Sequence, residues 1–289
     1  MRLLNIGSIN VDHVYAVDHF VRPGETLSGS RYSTFAGGKG FNQSIALARA
    51  GAVTHHLGSI GKDGTWLLKR LEAEAVDATH VKVAERATGH AIIQVIPSGE
   101  NAIVIYGGAN QCLSESEITC ALSSFSAGDY LLLQNETNAV AEAIRRGVEH
   151  ELRVVFNPAP MGSDVKDYPL DGVDVFVLNQ IEAESLVGKT APEDVRNAMC
   201  RRFPGAATVL TMGSRGAVYF DADQMYHQPA VEVDAVDTTA AGDTFVGYFL
   251  AELMQSGDPA RALSLGCSAA AICVTRAGAS ESIPLRKEL

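Results

Sequence analysis

Short apolar runs recur along the chain, and each gives way to a polar or glycine-rich turn. Leu3 to Gly7, Val53 to Leu57, Tyr130 to Leu133, Arg153 to Phe156, Val173 to Leu178 and Thr208 to Thr211 are of this kind. A run apolar at nearly every position suits a strand covered on both faces, as in a parallel sheet. Helical patterns fall between and after these runs: Gln43 to Ala50, Ser114 to Ser124, Asn138 to His150, Ala191 to Phe203, Phe245 to Leu253 and Pro259 to Val274. Strand and helix in alternation predict an α/β fold with helices packed on a largely parallel sheet. No linker, low-complexity tract or internal repeat breaks the pattern. A chain of 289 residues, 46% hydrophobic, is long enough for one large core. A single domain over 1–289 is expected.

Two segments do not alternate. Val14 to Val17 and Thr26 to Phe35 flank a Pro23-Gly24 turn, and His90 to Ile96 and Asn101 to Tyr106 flank Pro97-Ser98-Gly99-Glu100. Hairpins alone are marginal in water. The insertions, at about 11–36 and 89–107, are therefore expected to combine into a small β-sheet lid that packs on a second subunit.

The stretch with most chemistry is Asp237-Thr238-Thr239-Ala240-Ala241-Gly242-Asp243-Thr244-Phe245. A helix opening at Ala241 or Gly242 directs unpaired N–H groups and the positive dipole end outward, a ready anion site. Ala240, Ala241 and Gly242 let a phosphate approach the backbone. Asp243 in that first turn is either an ordinary helix-start acid or a base that takes a proton from an attacking hydroxyl.

Ligands of open α/β sheets bind beyond the carboxyl ends of strands. Asn10 and Asp12 follow the first run and are hydrogen-bonding groups for a small polar molecule or turn residues. Glu136 follows the Tyr130 run and is a substrate contact or a loop acid. Asn179 and Glu182 follow the Val173 run; they suit Mg²⁺ through water, or an N-cap with an acid in its first turn. Thr211, Gly213, Ser214 and Gly216, with Arg215 nearby, form a phosphate-holding turn or a hairpin. Gly37-Gly38-Lys39-Gly40-Phe41-Asn42 precedes a helix and allows close ligand approach, but it lacks P-loop spacing. Gly58 to Gly64 lacks dinucleotide spacing and reads as a strand-to-helix turn. His55 and His56 point to opposite faces of a strand and read as surface or packing residues.

A net charge of -11 argues against nucleic acid and anionic membranes as partners. The start, Met1 to Gly7, is too short and too soon polar for a signal peptide, and no apolar run reaches the ~20 residues that span a bilayer. Five cysteines, Cys112, Cys120, Cys200, Cys267 and Cys273, show no C-x-x-C spacing. They fit a reduced, cytoplasmic protein without structural zinc.

Taken in order, Gly7 to Asp12, Gly37 to Gln43, Asn179 to Glu182, Thr211 to Gly216, Asp237 to Phe245 and Val274 to Arg276 resemble the ribokinase-like (PfkB) carbohydrate kinase family, across Leu3 to Pro284. The resemblance implies a three-layer α/β/α sandwich around a sheet of nine strands or so, with a β-sheet lid. It implies ATP-dependent phosphorylation of a terminal hydroxymethyl group, giving ribose 5-phosphate if the sugar is ribose; deoxyribose, fructose or a nucleoside are the alternatives. By resemblance the sugar is held by Asn10, Asp12, Gly38, Lys39, Asn42 and Glu136. Asp243 is the base, and the anion hole spans Ala240 to Asp243. The nucleotide lies on Asn179, Thr211, Gly213, Ser214, Gly216 and Gly242, with Cys267, where relatives carry a more polar residue, beside the adenine. Glu182 helps hold Mg²⁺ through water. A monovalent cation, potassium, is implied at Asp237, Thr239, Cys273, Arg276, Gly278 and Ser282. Phe41, larger than the usual residue there, is expected to alter packing near the sugar, and a homodimer through the lid is expected.

Overall fold

The computed structural model describes residues 1–289. Its strands in chain order are β1 (Leu3–Ile6), β2 (Asn10–Ala16), β3 (Arg31–Gly37), β4 (Thr54–Gly61), β5 (Asp77–Ala84), β6 (Gly89–Val95), β7 (Asn101–Tyr106), β8 (Tyr130–Gln134), β9 (Arg153–Asn157), β10 (Val175–Asn179), β11 (Ala207–Thr211), β12 (Ala217–Phe220) and β13 (Met225–Gln228). The helices are α1 (Lys39–Arg49), α2 (Thr65–Ala73), α3 (Glu115–Leu122), α4 (Val140–Glu149), α5 (Gln180–Val187), α6 (Pro192–Arg202), α7 (Ala241–Ser256) and α8 (Pro259–Val274).

Nine strands form one sheet in the order β13-β12-β11-β10-β9-β8-β1-β4-β5. Pairing is parallel from β5 to β11 and antiparallel through β12 and β13. Successive strand residues point to opposite faces, and the apolar runs divide accordingly. Leu3, Leu132, Val155 and Val177 join α1, α2, α7 and α8 in a core of 34 buried residues. Leu4, Leu131, Phe156 and Leu178 join α3 to α6 in a core of 31. The near-equal cores show why these strands had to be apolar throughout: neither face meets water. The expected three layers are present.

The two insertions meet as a second sheet, β3-β2-β6-β7. Here the sequence expectation needs correction. The first strand begins at Asn10, so Asn10 and Asp12 sit on β2 rather than in a turn. Two residues apart on one strand, they share a face. Thr26 to Ser30 is not strand, because pairing with β2 starts at Arg31. β4 runs through to Gly61, since Leu57 to Gly61 pair with β5; the turn expected from Gly58 is only Lys62 to Gly64. β5 and β13 carry mixed polarity and were not anticipated. No helix is long and apolar enough to cross a membrane.

Candidate active site

Strands run outward from β1 in both directions, β4 on one side and β8 on the other. That makes the β1–β8 boundary a topological switch point, where ligands bind outside the carboxyl ends. The segments that leave it are Gly7 to Asn10 and Asn135-Glu136. Ser8 Oγ donates to the Glu136 carboxylate, and the Lys39 N–H donates to Glu136 Oε2 at 3.0 Å. α1 therefore starts against this boundary, without a side-chain cap. Gly37 and Gly38 are needed here. A Cβ on Gly37 would overlap the Asp12 carboxylate, and Gly38 sits at φ 92° with a would-be Cβ 3.0 Å from the Asn10 N.

The charges respond to this crowding. Burial pushes the Asp12 carboxyl up to about 7, helped by Glu136, Glu281 and Asp243. Burial also raises Glu136, against the opposing pull of Lys39 and Ser8. Burial alone would lower Lys39, but Asp243, Glu136 and Glu182 hold it above its ordinary value. One ammonium thus serves three carboxylates of the cleft.

α7 opens opposite α1. Its N-cap, Ala240, has φ 59°, a left-handed conformation that costs an L-residue ~1 kcal/mol. No side chain caps the helix, so its first-turn N–H groups depend on a ligand or solvent. One correction applies: the Ala241 N–H already reaches Thr238 O, at 3.3 Å, because the left-handed turn folds it back. Gly242 has open space around its would-be Cβ and no positive φ; the protein fold itself does not require glycine there. Asp243, 9% exposed, accepts from Asn42 Nδ2 at 3.0 Å and Gln43 Nε2 at 2.9 Å. Asn42, expected on the sugar, is thus tied to Asp243 by one end of its amide. Its Oδ1 is buried with no partner, an acceptor open to a hydroxyl donor. Phe41 is fully buried in the core that α1 shares with α2, α7 and α8, since helical phase turns it from Asn42.

A cavity of about 880 Å³ adjoins this helix start and is lined by Asn179, Thr211, Gly213, Ser214, Gly216, Gly242 and Cys267, all named above for the nucleotide. Its far wall is small and apolar, including Ala230, Val233, Ala270 and Val274. The turn from Thr211 to Gly216 is a hairpin, joining β11 to β12. Asn179 and Glu182 form a capping box: Asn179 N and Nδ2 donate to the two Glu182 oxygens, and Glu182 N donates to Asn179 Oδ1. The N-cap reading holds for them. Burial raises Glu182, and both Lys39 and Asp243 act on it, so its charge is felt in the cleft.

Behind α7, Asp237 accepts from the Thr239 and Gly278 N–H groups at 2.9 and 3.0 Å. Burial works against its charge, and these hydrogen bonds outweigh burial and hold Asp237 low. Cys273 Sγ and Ser282 Oγ are 3.0 Å apart, and Cys273 Sγ lies 3.7 Å from Thr239 O. The Arg276 side chain turns outward to Glu288, so only its backbone belongs to this cluster. His55 pairs with Asp77, and His56 is fully buried on Ser44; both are packing residues.

Sequence reasoning passed over Asn110, whose Nδ2 donates to Asn10 Oδ1 at 2.7 Å, and over Glu281, whose charge reaches Asp12. Nothing local marks either one. Gln43 stood only as the first residue of a helical run and Asn157 just past the end of a strand run; an amide inside an otherwise apolar helix face or strand end was the available signal.

The description pfkB family carbohydrate kinase matches residues 2–286. A ribokinase from Haemophilus influenzae is 39% identical over 98% of this chain and 95% of its own length. A deoxyribokinase from Salmonella typhimurium is 33% identical, covering 98% of this chain and 96% of that protein. The structure of Arabidopsis thaliana ribokinase complexed with ribose and ATP superposes with a TM-score of 0.89 at 27% identity, covering 99% of this chain and 96% of the other. The switch-point cleft, the uncapped α7 start and these full-length likenesses agree, and the chain belongs to the pfkB family of carbohydrate kinases.

Proposed function

We propose that this chain transfers the γ-phosphoryl group of ATP to the terminal hydroxymethyl of ribose, giving ribose 5-phosphate. One observation carries the reading. The Asp243 carboxylate stands in the first turn of an uncapped helix, bonded to Asn42, between the nucleotide-sized cavity and the cluster of Asp12, Lys39 and Glu136. An alcohol bound on the β2 face would lose its proton to Asp243 as it attacks. The α7 N–H groups, chiefly those of Gly242 and Asp243, would hold the charge that grows on the phosphoryl oxygens. Asn10 and Asp12 on one face of β2, with Asn42 Oδ1 and Glu136, suit a molecule rich in hydroxyls. Asn179, Thr211, Gly213, Ser214, Gly216 and Cys267 would border the nucleotide, whose base would lie against the apolar wall.

Glu182 is a single buried carboxylate facing the cleft, which suits Mg²⁺ held mostly by phosphate and water. Bound there, the ion would neutralise phosphate charge. Potassium would sit among carbonyls of Thr239, Cys273, Arg276 and Gly278 with Asp237 and Ser282 nearby; cross-linked by Asp237, these two loops back the α7 turn. The four-stranded sheet would act as a lid that excludes water. Its outer strand β7 exposes Val104 at 69% and Ile105 at 56%, an apolar edge that supports a homodimer through the lid. The five cysteines are unpaired, in keeping with a reduced cytoplasmic setting.

The test is a coupled assay of ATP with ribose, deoxyribose, fructose and nucleosides. Ribose is expected to give the highest kcat/KM; another acceptor ahead of it replaces the substrate but keeps the reaction. Asp243→Asn should leave sugar binding nearly intact and lower kcat by ~10²–10⁴-fold. Turnover within a few-fold of the parent removes Asp243 from the chemistry.

A further inference from the structure

Behind the Asp243 carboxylate lies a continuous set of buried amides that the reaction as described does not use. Gln43, fully buried, donates from Nε2 to Asp243 Oδ1 at 2.9 Å and to Asn157 Oδ1 at 3.0 Å. Its Oε1 accepts from Gln134 Nε2 at 2.6 Å. An amide can donate only from nitrogen, so each orientation fixes the next. Asn157 Nδ2 donates to the Val177 carbonyl at 2.9 Å, which turns its Oδ1 to Gln43. Asn5 Nδ2 donates to the Gly40 carbonyl at 2.8 Å, which turns its Oδ1 to Gln134 Nε2 at 3.0 Å. Two backbone carbonyls, one on β10 and one on α1, therefore dictate from both ends which way the Gln43 NH₂ faces. Both of its hydrogens are committed, and one of them lies on Asp243.

Stability alone does not explain this arrangement. Asn5, Gln134 and Asn157 fall by alternation on the α1–α7 face of β1, β8 and β9, where apolar residues would fill the core without leaving polar atoms unpaired. Here Gln134 Oε1 is left without a partner. We propose that Gln43, locked by Asn157 and Gln134, is a positioning residue that aims the Asp243 carboxylate at the acceptor hydroxyl. This rests on Asp243 being the base, and the experiment separates the two ideas.

Gln43→Met keeps side-chain length and removes the donor. It is made alone and in Asp243→Asn. Alone, kcat should fall by ~10–100-fold, as expected for one hydrogen bond to a charged group, while KM for ribose and ATP stays within about twofold. In the Asp243→Asn background the same change should cost less than about twofold, because the carboxylate base whose aim it sets is gone. Wild-type kcat in Gln43→Met, or an undiminished loss in Asp243→Asn, overturns the proposal. Failure of the base reading shows separately, as near-normal turnover of Asp243→Asn alone. Where Gln43→Met does not fold, Asn157→Ala releases the pinned amide without touching Asp243. The same kcat loss, again cancelled in Asp243→Asn, is expected, and full kcat overturns the proposal.

Discussion

Gly247→Ala tests how the two functional helices are held together. Gly247 lies one turn beyond Asp243 on α7, and Ala46 and Leu47 lie one turn beyond Asn42 and Gln43 on α1. A residue and its i+4 neighbour share a helix face, so the Gly247 contact lies directly behind the Asp243 hydrogen bonds. A Cβ on Gly247 would stand 2.8 Å from both the Ala46 carbonyl carbon and the Leu47 N, and closer still to the Ala46 methyl. Carbon contacts settle near 3.5–4.0 Å, so the helices must part by roughly 1 Å. The Asn42 and Gln43 bonds to Asp243, at 3.0 and 2.9 Å, would stretch beyond useful length. Overpacking of this kind costs ~1–3 kcal/mol, a fall of roughly 2–10 °C in Tm for a chain of this size. A displacement near 1 Å at a reacting group lowers kcat by up to ~10²-fold. Thermal unfolding and the coupled kinase assay read the two effects. Ala46→Gly added to Gly247→Ala should recover them only in part, since the backbone contacts remain. Gly247→Ala with parental Tm and kcat would refute the idea that close α1–α7 packing sets the site.

Four further outcomes follow from the same geometry. Gly242→Ala meets no protein atom and removes a helix glycine, so stability should hold or rise by up to ~1 kcal/mol, while kcat falls because the methyl enters the phosphate space; unchanged kcat removes Gly242 from the anion hole. Asp12, raised to about 7, is protonated below that pH and a full acceptor above it. Ribose KM should therefore fall about tenfold per pH unit as pH rises toward 7 and then level, and Asp12→Asn should flatten the profile; a flat parental profile contradicts this role. The same raised carboxyl makes the unliganded protein lose stability as pH climbs from about 4 to about 7, since the unfolded chain ionises first. Replacing potassium by tetramethylammonium should lower turnover several-fold without unfolding the protein; equal turnover in both salts dismisses the cation cluster.

The two-sided apolar runs required a sheet buried on both faces, and the small-residue stretch before Phe245 pointed to a helix start, which the fold leaves without a side-chain cap. Both features are local, because backbone pairing and helix ends obey rules read over a few residues. The mixed-polarity strands β5 and β13 were missed because tertiary pairing, not local pattern, makes them strands. The turn alternative for Asn10 and Asp12 fails for the same reason: the strands that pair with them, β3 and β6, come from elsewhere in the chain.

By itself, then, the order of residues determined the layered α/β architecture, the strand ends beyond which polar residues gather and the candidate acid at Asp243. Only the folded chain decided which groups face that acid. Asn42 and Gln43 lie about 200 positions away in sequence, and their hydrogen bonds depend on how closely α1 and α7 approach. Glu182 became the partner of an N-cap, and Glu281 came to bear on Asp12, through packing alone. Periodicity fixes which face a side chain occupies; the neighbour across that face is set by three-dimensional closure, which no local pattern encodes.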